Sequence, residues 1–591
     1  MKRLAILIIV LMALVTNCAA PAPPPIPTPA PVPAPPPQVY PEVKGTFIEG
    51  VSGGDAETLN WLLAADASSF SYAGFCIESL ATYDNDWQVH LRHLAKPVAI
   101  SDDGLTYTVT IRDDLKWSDG TPVTAGDYVY TLKNLMFSDW LHYPYQTDWQ
   151  EEVGGETVFV DVELVNDTTF VIKRQTIDPE FADNAIYSLT PYPKHIAIKY
   201  EGDLEAFTKA EEFNNLTYTG NLGAYRFKEW IRNDKYVVER NPDYYLGQDT
   251  GAPYFEEYVT KLFGTSTAML AALEAGDIQS CGIEPEQVAK FKQMAWIKVY
   301  TVPTSAYDLI VYNMRHNGWE GLRNKAVRQA ISMSIDKQTF IDEIRFGFAD
   351  PAFSFIPKPS PWYTEEGVPK FGIGDLYDKD KAKEMLLEAG YGTRKGDGSI
   401  AIHDKDGQPI KLTLVTTTGS KLTEDITLFV KQELGDIGIE VDFKLVPWPT
   451  QLRQYMMNKV PGSDQEPIYN NGPDAVSEEP WDMMVLAFNT HPIAPSGSRV
   501  FFMTDGGINF WGYSNQRVDE LFTEVRSEEA LDPEVRKQMY AEISQLIADD
   551  QPADFLSFPR SNQGFQTNVQ GIDPGMRLGW NYHEWYFAEP G

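Results

Sequence analysis

The chain of 591 residues is poor in cysteine, histidine and basic side chains, and each shortage narrows the possible functions. Its 3 cysteines are too few for the disulfide framework of a small secreted domain. Its 8 histidines are scattered, so nothing gathers the imidazole or thiolate ligands that a zinc or nickel centre needs. Lys and Arg number 49 against 84 Asp and Glu, a formal net charge of −35. That field repels phosphate backbones and anionic lipid surfaces, which excludes nucleic acid as a partner. Catalytic signatures are missing as well: the sequence holds no HExxH, no GxSxG and no phosphate-cradling GxxxxGK[ST].

Long apolar runs are scarce too. Residues 4–15 form an unbroken one behind Lys2 and Arg3. It is shorter than the roughly 20 residues that a membrane-spanning helix requires. Basic start, short apolar run and small polar exit read as a secretory signal over residues 1–17. Cys18 comes next in "LVTNCAA", which resembles a bacterial lipobox, with Val15 and Asn17 where Leu and Gly or Ala are usual. Cys18 is therefore expected to become a lipidated N-terminus, an ordinary signal cut nearby being the alternative. From Pro21 to Pro37, eleven of seventeen residues are proline. In polyproline II form such a tract is a semi-rigid spacer of roughly 50 Å, so residues 18–41 read as anchor and linker. Cys76 and Cys281 sit in apolar surroundings and read as buried thiols rather than a pair.

Beyond the proline tract, strand and helix signals alternate along the chain. "GTFIEGV" and "LTYTVTIR" alternate apolar and polar residues and predict strands. "AGDYVYTLKNLMF" predicts a helix capped by Thr124. "NKAVRQAISMSIDKQTFIDEIRFG" predicts a helix pair, and "DKDKAKEMLLEAGY" a helix ending at Gly390. The order "IKLTLVTTTG", "TEDITLFVKQELGDIG", "IEVDFKLV" is strand–helix–strand and predicts a mostly parallel, helix-covered sheet. Two amphipathic helices and a short extended piece close the chain. The class is α/β with more than one lobe.

Three constellations invite chemistry and are better read as structure. His90 and His93 in "HLRH" lack a third ligand nearby in sequence. Asp404 and Asp406 before Gly407 lack the acidic residue that closes a calcium loop, so a hairpin accounts for them. Trp117, Asp119 and Asp127 in "LKWSDGTPVTAGDYVY" place two carboxylates beside an indole, as a glycan hydrolase would. Yet Ser-Asp-Gly-Thr-Pro is turn chemistry, and strand, turn and capped helix explain every residue. The aromatic side chains carry more weight: Tyr307, Tyr312, Trp362, Trp448, Trp481, Phe488, Trp511 and Tyr513 fall near predicted strand ends and loops. Aromatics of this kind line clefts that hold extended organic ligands.

The stretch "SDDGLTYTVTIRDDLKWSDGTPVTAGDYVYTLKNL" closely resembles the signature of family 5 extracellular solute-binding proteins. So do "GAYRFKEWIRNDKYVVERNPDYY", "TAMLAALEAGDIQ", "LRNKAVRQAISMSIDKQTFI", "YDKDKAKEMLLEAGY", "ELGDIGIEV", "WDMMVLAF" and "YSNQRVDELFTEV", in family order. The resemblance implies a two-lobe clamshell of the periplasmic-binding-protein kind (type II, cluster C) with an extra subdomain inserted in the first lobe. By that resemblance the first lobe takes 42–75, 216–305 and 508–591, the insert 76–215 and the second lobe 306–507. "YDLIVYNM" and the segment near "INFWGYSN" would be the two lobe crossings.

It further implies a non-enzymatic receptor for an ABC importer, a monomer without cofactor or metal. Such a receptor encloses a small organic ligand, a peptide or an oligosaccharide, and passes it to a membrane permease. Peptide-binding members carry an Asp-Pro loop after the "WD" strand, whose carboxylate holds the ligand amine. Here that stretch reads Asn489, Thr490, His491 and Pro492. Asn489 and His491 would instead hydrogen-bond a neutral ligand. The resemblance and the aromatic placement nominate Ser68, Ser69, Tyr72, Tyr307, Tyr312, Asn313, Phe488, Asn489, His491, Trp511 and Tyr513 as ligand contacts.

Overall fold

The computed structural model describes residues 40–588 apart from Gly53, Ala65, His142 and Gly419. The predicted signal, Cys18 and the proline tract lie outside the described residues. One twelve-stranded sheet runs through both lobes. In the first lobe, Thr46–Ser52 pairs in parallel with Glu257–Phe263 and with Ser280–Gly282. Tyr225–Ile231 and Lys235–Arg240 extend this half in antiparallel fashion. In the second lobe, Ala306–Tyr312 pairs with Met483–Asn489, and Lys411–Thr417 pairs in parallel with Glu440–Val446.

The strand–helix–strand unit illustrates how sequence dictates these parts. Helix Lys421–Asp436 starts on Ser420, whose side chain accepts from the Thr423 amide. It buries Ile426, Val430 and Leu434 at four-residue spacing. It stops before Gly438, whose φ of +90° suits glycine. The predicted mostly parallel sheet is not observed. Among the described residues four pairings of the large sheet are parallel and seven antiparallel. One long strand, Ala553–Gln566, is the reason. It runs antiparallel to strands of both lobes, pairing through its first half with Ala306–Tyr312 and through its second half with Ile297–Pro303.

That strand also relocates the second lobe crossing. The first passage lies between Pro303 and Ala306, at the start of the segment expected to cross, and the second lies within 557–561 of the long strand. Residues 508–558, assigned by sequence to the first lobe, pack into the second. Phe510, Trp511, Val518, Leu521 and Tyr540 share one core with Leu309 and Val311. The short extended piece expected at the end of the two helices is this fourteen-residue strand. A greasy strand flanked by breakers does not disclose its length or its partners.

Smaller sheets lie between residues 81 and 173. Ala99–Ile100, Thr106–Thr110, Thr169–Lys173 and Asp161–Asn166 form a four-stranded one. Gln150–Val153 and Glu156–Phe159 form a hairpin. Their apolar faces merge with the first lobe through Phe47, Tyr72, Phe75 and Tyr258. Cys76 and Cys281 are buried and free, and burial pushes both thiols up to about 12. No helix of the described residues is long and apolar enough to cross a membrane.

Candidate ligand-binding site

A cavity of about 930 Å³ opens in the first lobe. Its floor is one face of the sheet. On Thr46–Ser52, Phe47 and Glu49 project to the same side because side chains alternate along a strand. Register places Glu49 opposite Ser280 and Ser280 opposite Phe565, while Gln563 lies two residues along. Glu49, Ser280, Gln563 and Phe565 all line the cavity. Helix Ala67–Gly74 forms one wall. It turns Ser69 and Tyr72 toward the core and sets Phe70, Ser71, Ala73 and Gly74 along the cavity. Three- and four-residue spacing divides the helix between the two faces. Trp61, Tyr143 and Tyr145 come from the loops around it, and Trp580, Tyr582 and Trp585 from the C-terminal segment. Phe70 and Tyr145 have ring centroids 5.8 Å apart, and Phe75 meets Tyr582 edge-on at 5.3 Å. Such a box offers stacking surface and excludes water.

The charged groups of the cavity differ in how far they are already satisfied. Glu78 accepts from the hydroxyls of Tyr244 and Tyr245 and sits 3.8 Å from Arg92. Arg92 donates in turn to the Trp580 carbonyl at 2.9 Å. This group is internally complete. Glu49 accepts from the Tyr258 hydroxyl at 2.8 Å and has no basic partner among the described residues. Burial holds its carboxyl above the usual range. Asp148 is raised likewise by surrounding protein, with Arg499 pulling the other way. Arg577 donates to Thr82 Oγ1 at 3.2 Å and has no carboxylate partner among the described residues. Among the described residues, the charged groups of the cavity that make no ion pair are thus the carboxylates Glu49 and Asp148 and the guanidinium of Arg577.

The lobes meet beside this site. Glu180 is fully buried and accepts from the Ser496 amide at 3.2 Å, the Ser496 hydroxyl at 2.6 Å and the Tyr540 hydroxyl. Arg526 donates to Asp178 at 2.9 Å, and the Trp87 indole to the Pro359 carbonyl at 2.6 Å. Each contact joins the first lobe with its insert to the second.

The residues nominated from sequence divide sharply. Segment 68–72 reaches the cavity wall, but through neighbours of the named side chains. Ser68 is half-buried on the helix. Ser69 is held by local bonds, its hydroxyl accepting from the amides of Glu57 and Thr58 and donating to Asp66, the residue that caps the helix. Tyr72 is stacked on Tyr236 at 4.3 Å in the core. Tyr307 and Tyr312 are fully buried on a central strand covered on both faces. Asn313, also fully buried, donates to the Trp481 carbonyl at 2.8 Å. Trp511 and Tyr513 lie in the second-lobe core, Tyr513 donating to Asp550 at 2.8 Å. These five cannot touch a ligand in the cavity, and the reason is the relocated crossing: the segments expected at the hinge are core.

Phe488 is half-buried and stacked on Phe501 at 4.4 Å. Asn489 is exposed and accepts from Ser305 at 3.4 Å. The His491 ring reaches solvent at the seam yet is largely surrounded by protein. That burial and the Arg577 guanidinium push it down to about 4, so it is neutral. Of this loop, His491 alone is tied to a cavity-lining group. The alternative chemistries find no support in the geometry. His93 is buried between the Tyr128 hydroxyl and the Leu222 carbonyl. Asp119 receives the Thr121 amide, and Asp127 receives those of Thr124 and Lys194. Among the described residues no cluster of three or more metal-ligating side chains occurs.

A family description, bacterial extracellular solute-binding proteins, family 5 (middle), matches residues 92–510. The chain belongs to that family. It is similar to the oligopeptide-binding protein AppA of Bacillus subtilis (strain 168), 30% identical over 558 residues that cover 93% of each chain. The solved structure of AppA from B. subtilis in complex with a nonapeptide superposes with a TM-score of 0.68 at 27% identity. That match covers 93% of this chain and 100% of the other. A putative peptide binding protein AppA from Clostridium difficile superposes with a TM-score of 0.73 at 25% identity, over 92% and 100%. As a family 5 solute-binding protein, this chain is an α/β two-lobe clamshell made for an extracellular solute.

The aromatic walls of this solute-binding protein carried a signal that a search for hinge strands passes over. Trp580, Tyr582 and Trp585 stand in "LGWNYHEWYF", and Tyr143 and Tyr145 in "LHYPYQTDW". Both are short, aromatic-dense and free of strand or helix periodicity, which is how a binding loop reads.

Proposed function

We propose that this protein captures extracellular peptides and delivers them to the permease of an ABC importer. The observation that carries the reading is the leftover charge of the cavity. Glu49 and Asp148 face an aromatic box that also holds Arg577, which has no carboxylate partner among the described residues. A zwitterionic peptide satisfies carboxylates and guanidinium together. A neutral oligosaccharide would leave them buried without partners, which is costly. Similarity to AppA, solved with a nonapeptide, agrees with a ligand of this kind.

Binding rests on stacking and ion pairing, with no turnover. A single solute is held by a monomer, and hinge closure converts occupancy into a surface that a permease reads. Lipidation of Cys18 would hold the receptor at the outer face of the membrane, with the proline tract as a spacer. Native mass spectrometry of the purified protein, followed by thermal-shift titration with free-amine nonapeptides and with oligosaccharides, tests the reading. Peptides are expected to raise Tm with the logarithm of free peptide concentration once it exceeds Kd. Stabilisation by sugars alone would refute it. Labelling with a fatty-acid analogue tests the anchor, and a label that misses Cys18 would remove it.

A further inference from the structure

We infer that Glu49, at the floor of the cavity, receives the cationic side chain of a lysine or arginine in the bound peptide, so that the site selects peptides with a basic residue at one register position. The inference rests on the peptide reading and adds to it the position and chemistry of a selective contact.

Three features of the floor support it. Glu49 uses one oxygen, Oε2, for the Tyr258 hydroxyl, while an ionised carboxylate accepts at about four sites. The other oxygen, Oε1, accepts no hydrogen bond and is not among the sealed, partnerless atoms of the structure, so it remains reachable. Ser280 stands opposite Glu49 on the neighbouring strand, Gln563 lies on the strand beyond, two residues along, and both line the cavity. An ammonium has three donors and a guanidinium five. Carboxylate, hydroxyl and carboxamide oxygens on neighbouring strands form a matching set of acceptors. Above them Phe75, Phe565 and Trp585 supply apolar walls. A lysine or arginine has an apolar stem and a charged tip, and this arrangement covers the first while ion-pairing the second.

Alternative roles for Glu49 account for less. A structural carboxylate in this protein has its partners built in, as Glu78 does with two tyrosines and Arg92. Glu180 likewise has a serine and a tyrosine. Glu49 differs by having one neutral donor and an open cavity. Asp148 is a weaker candidate because Arg499 already acts on it from the second lobe.

The test is a positional scan by calorimetry on the full-length protein. A neutral nonapeptide carries one Lys at each position in turn, with norleucine as the isosteric control that keeps the stem and removes the charge. One position is expected to prefer Lys over norleucine by roughly 10–100-fold, the range for a desolvated, charge-assisted contact. Glu49→Gln retains volume and the Tyr258 contact, and should erase that preference, bringing the Lys-to-norleucine affinity ratio at that position to about one. Glu49→Asp should restore part of it, which separates lost charge from lost fold.

Lys and norleucine bound alike at every position would overturn the inference, as would a preference that survives in Glu49→Gln. If Glu49→Gln weakens all peptides equally, and acetylating the N-terminus of the wild-type ligand does the same, Glu49 holds the α-amine and the side-chain assignment falls. Failure of every peptide to bind would instead refute the peptide reading itself.

Discussion

Replacing Glu180 with Gln probes a charge that the lobes enclose between them. Glu180 comes from the insert side and is fully buried against Ser496 and Tyr540 of the second lobe. Burial pushes its carboxyl up from 4.5 to about 7, against the hydrogen bonds from Ser496 and Tyr540. Between those values the folded protein keeps a proton that the unfolded chain has released. Stability contributed by the protonated group is complete below about pH 4.5 and falls away as pH rises toward about 7. The full loss is about 3 kcal/mol at about 1.4 kcal/mol per tenfold change in proton affinity. For about 550 folded residues, an unfolding entropy near 2.1 cal/mol/K per residue converts this to roughly 3 °C in Tm.

Glu180→Gln keeps the size and an acceptor oxygen but has no proton to lose. Differential scanning calorimetry of both proteins from pH 4.5 to 8 isolates the effect, because every other titrating group cancels in the difference. The variant should gain on the wild type by about 2 °C between pH 5 and pH 8. Parallel Tm curves would refute the reasoning and show Glu180 to be ionised, or solvated, at the seam.

Two further expectations concern the second lobe. Lys337 and Asp554 form an ion pair of 2.8 Å with both side chains buried. Lys337→Met alone should cost about 3–5 kcal/mol in urea unfolding by stranding a carboxylate, whereas Lys337→Met with Asp554→Leu should return to within about 1 kcal/mol of wild type. Trp511 is fully buried in the core, so Trp511→Ala should cost about 3–5 kcal/mol of stability. Peptide affinity measured on the folded protein should be unchanged, and a specific loss of affinity would return Trp511 to the site.

Much of the architecture was legible along the chain. Helix Lys379–Glu388 and the unit Lys411–Val446 were readable because periodicity, caps and stop signals act within a few residues. The Ser-Asp-Gly-Thr-Pro turn and the helix start at Thr124 were readable for the same reason. The site was harder. In helix Ala67–Gly74 the nominated Ser69 and Tyr72 face the core while Phe70 and Ser71 line the cavity, a division the residue types do not reveal because Ser, Tyr and Phe suit core and cavity alike. Tyr307 and Tyr312 looked like cleft aromatics because a strand covered on both faces and a strand bordering a cleft have the same composition.

The sequence by itself determined the local elements, the acidic field, the want of catalytic and metal-binding motifs, and the family. These depend on neighbours in the chain or on totals over it. Tertiary structure alone decided where the lobes exchange strands, which face of each element meets the cavity, and which charges go unmatched there. Glu49 shows why. Its strand signal is local, but its lack of a counter-ion depends on Ser280, Tyr258 and Gln563, brought beside it by strand pairing from 200 to 500 residues away. Electrostatic isolation belongs to the packed assembly of distant segments, and no stretch of the chain encodes it alone.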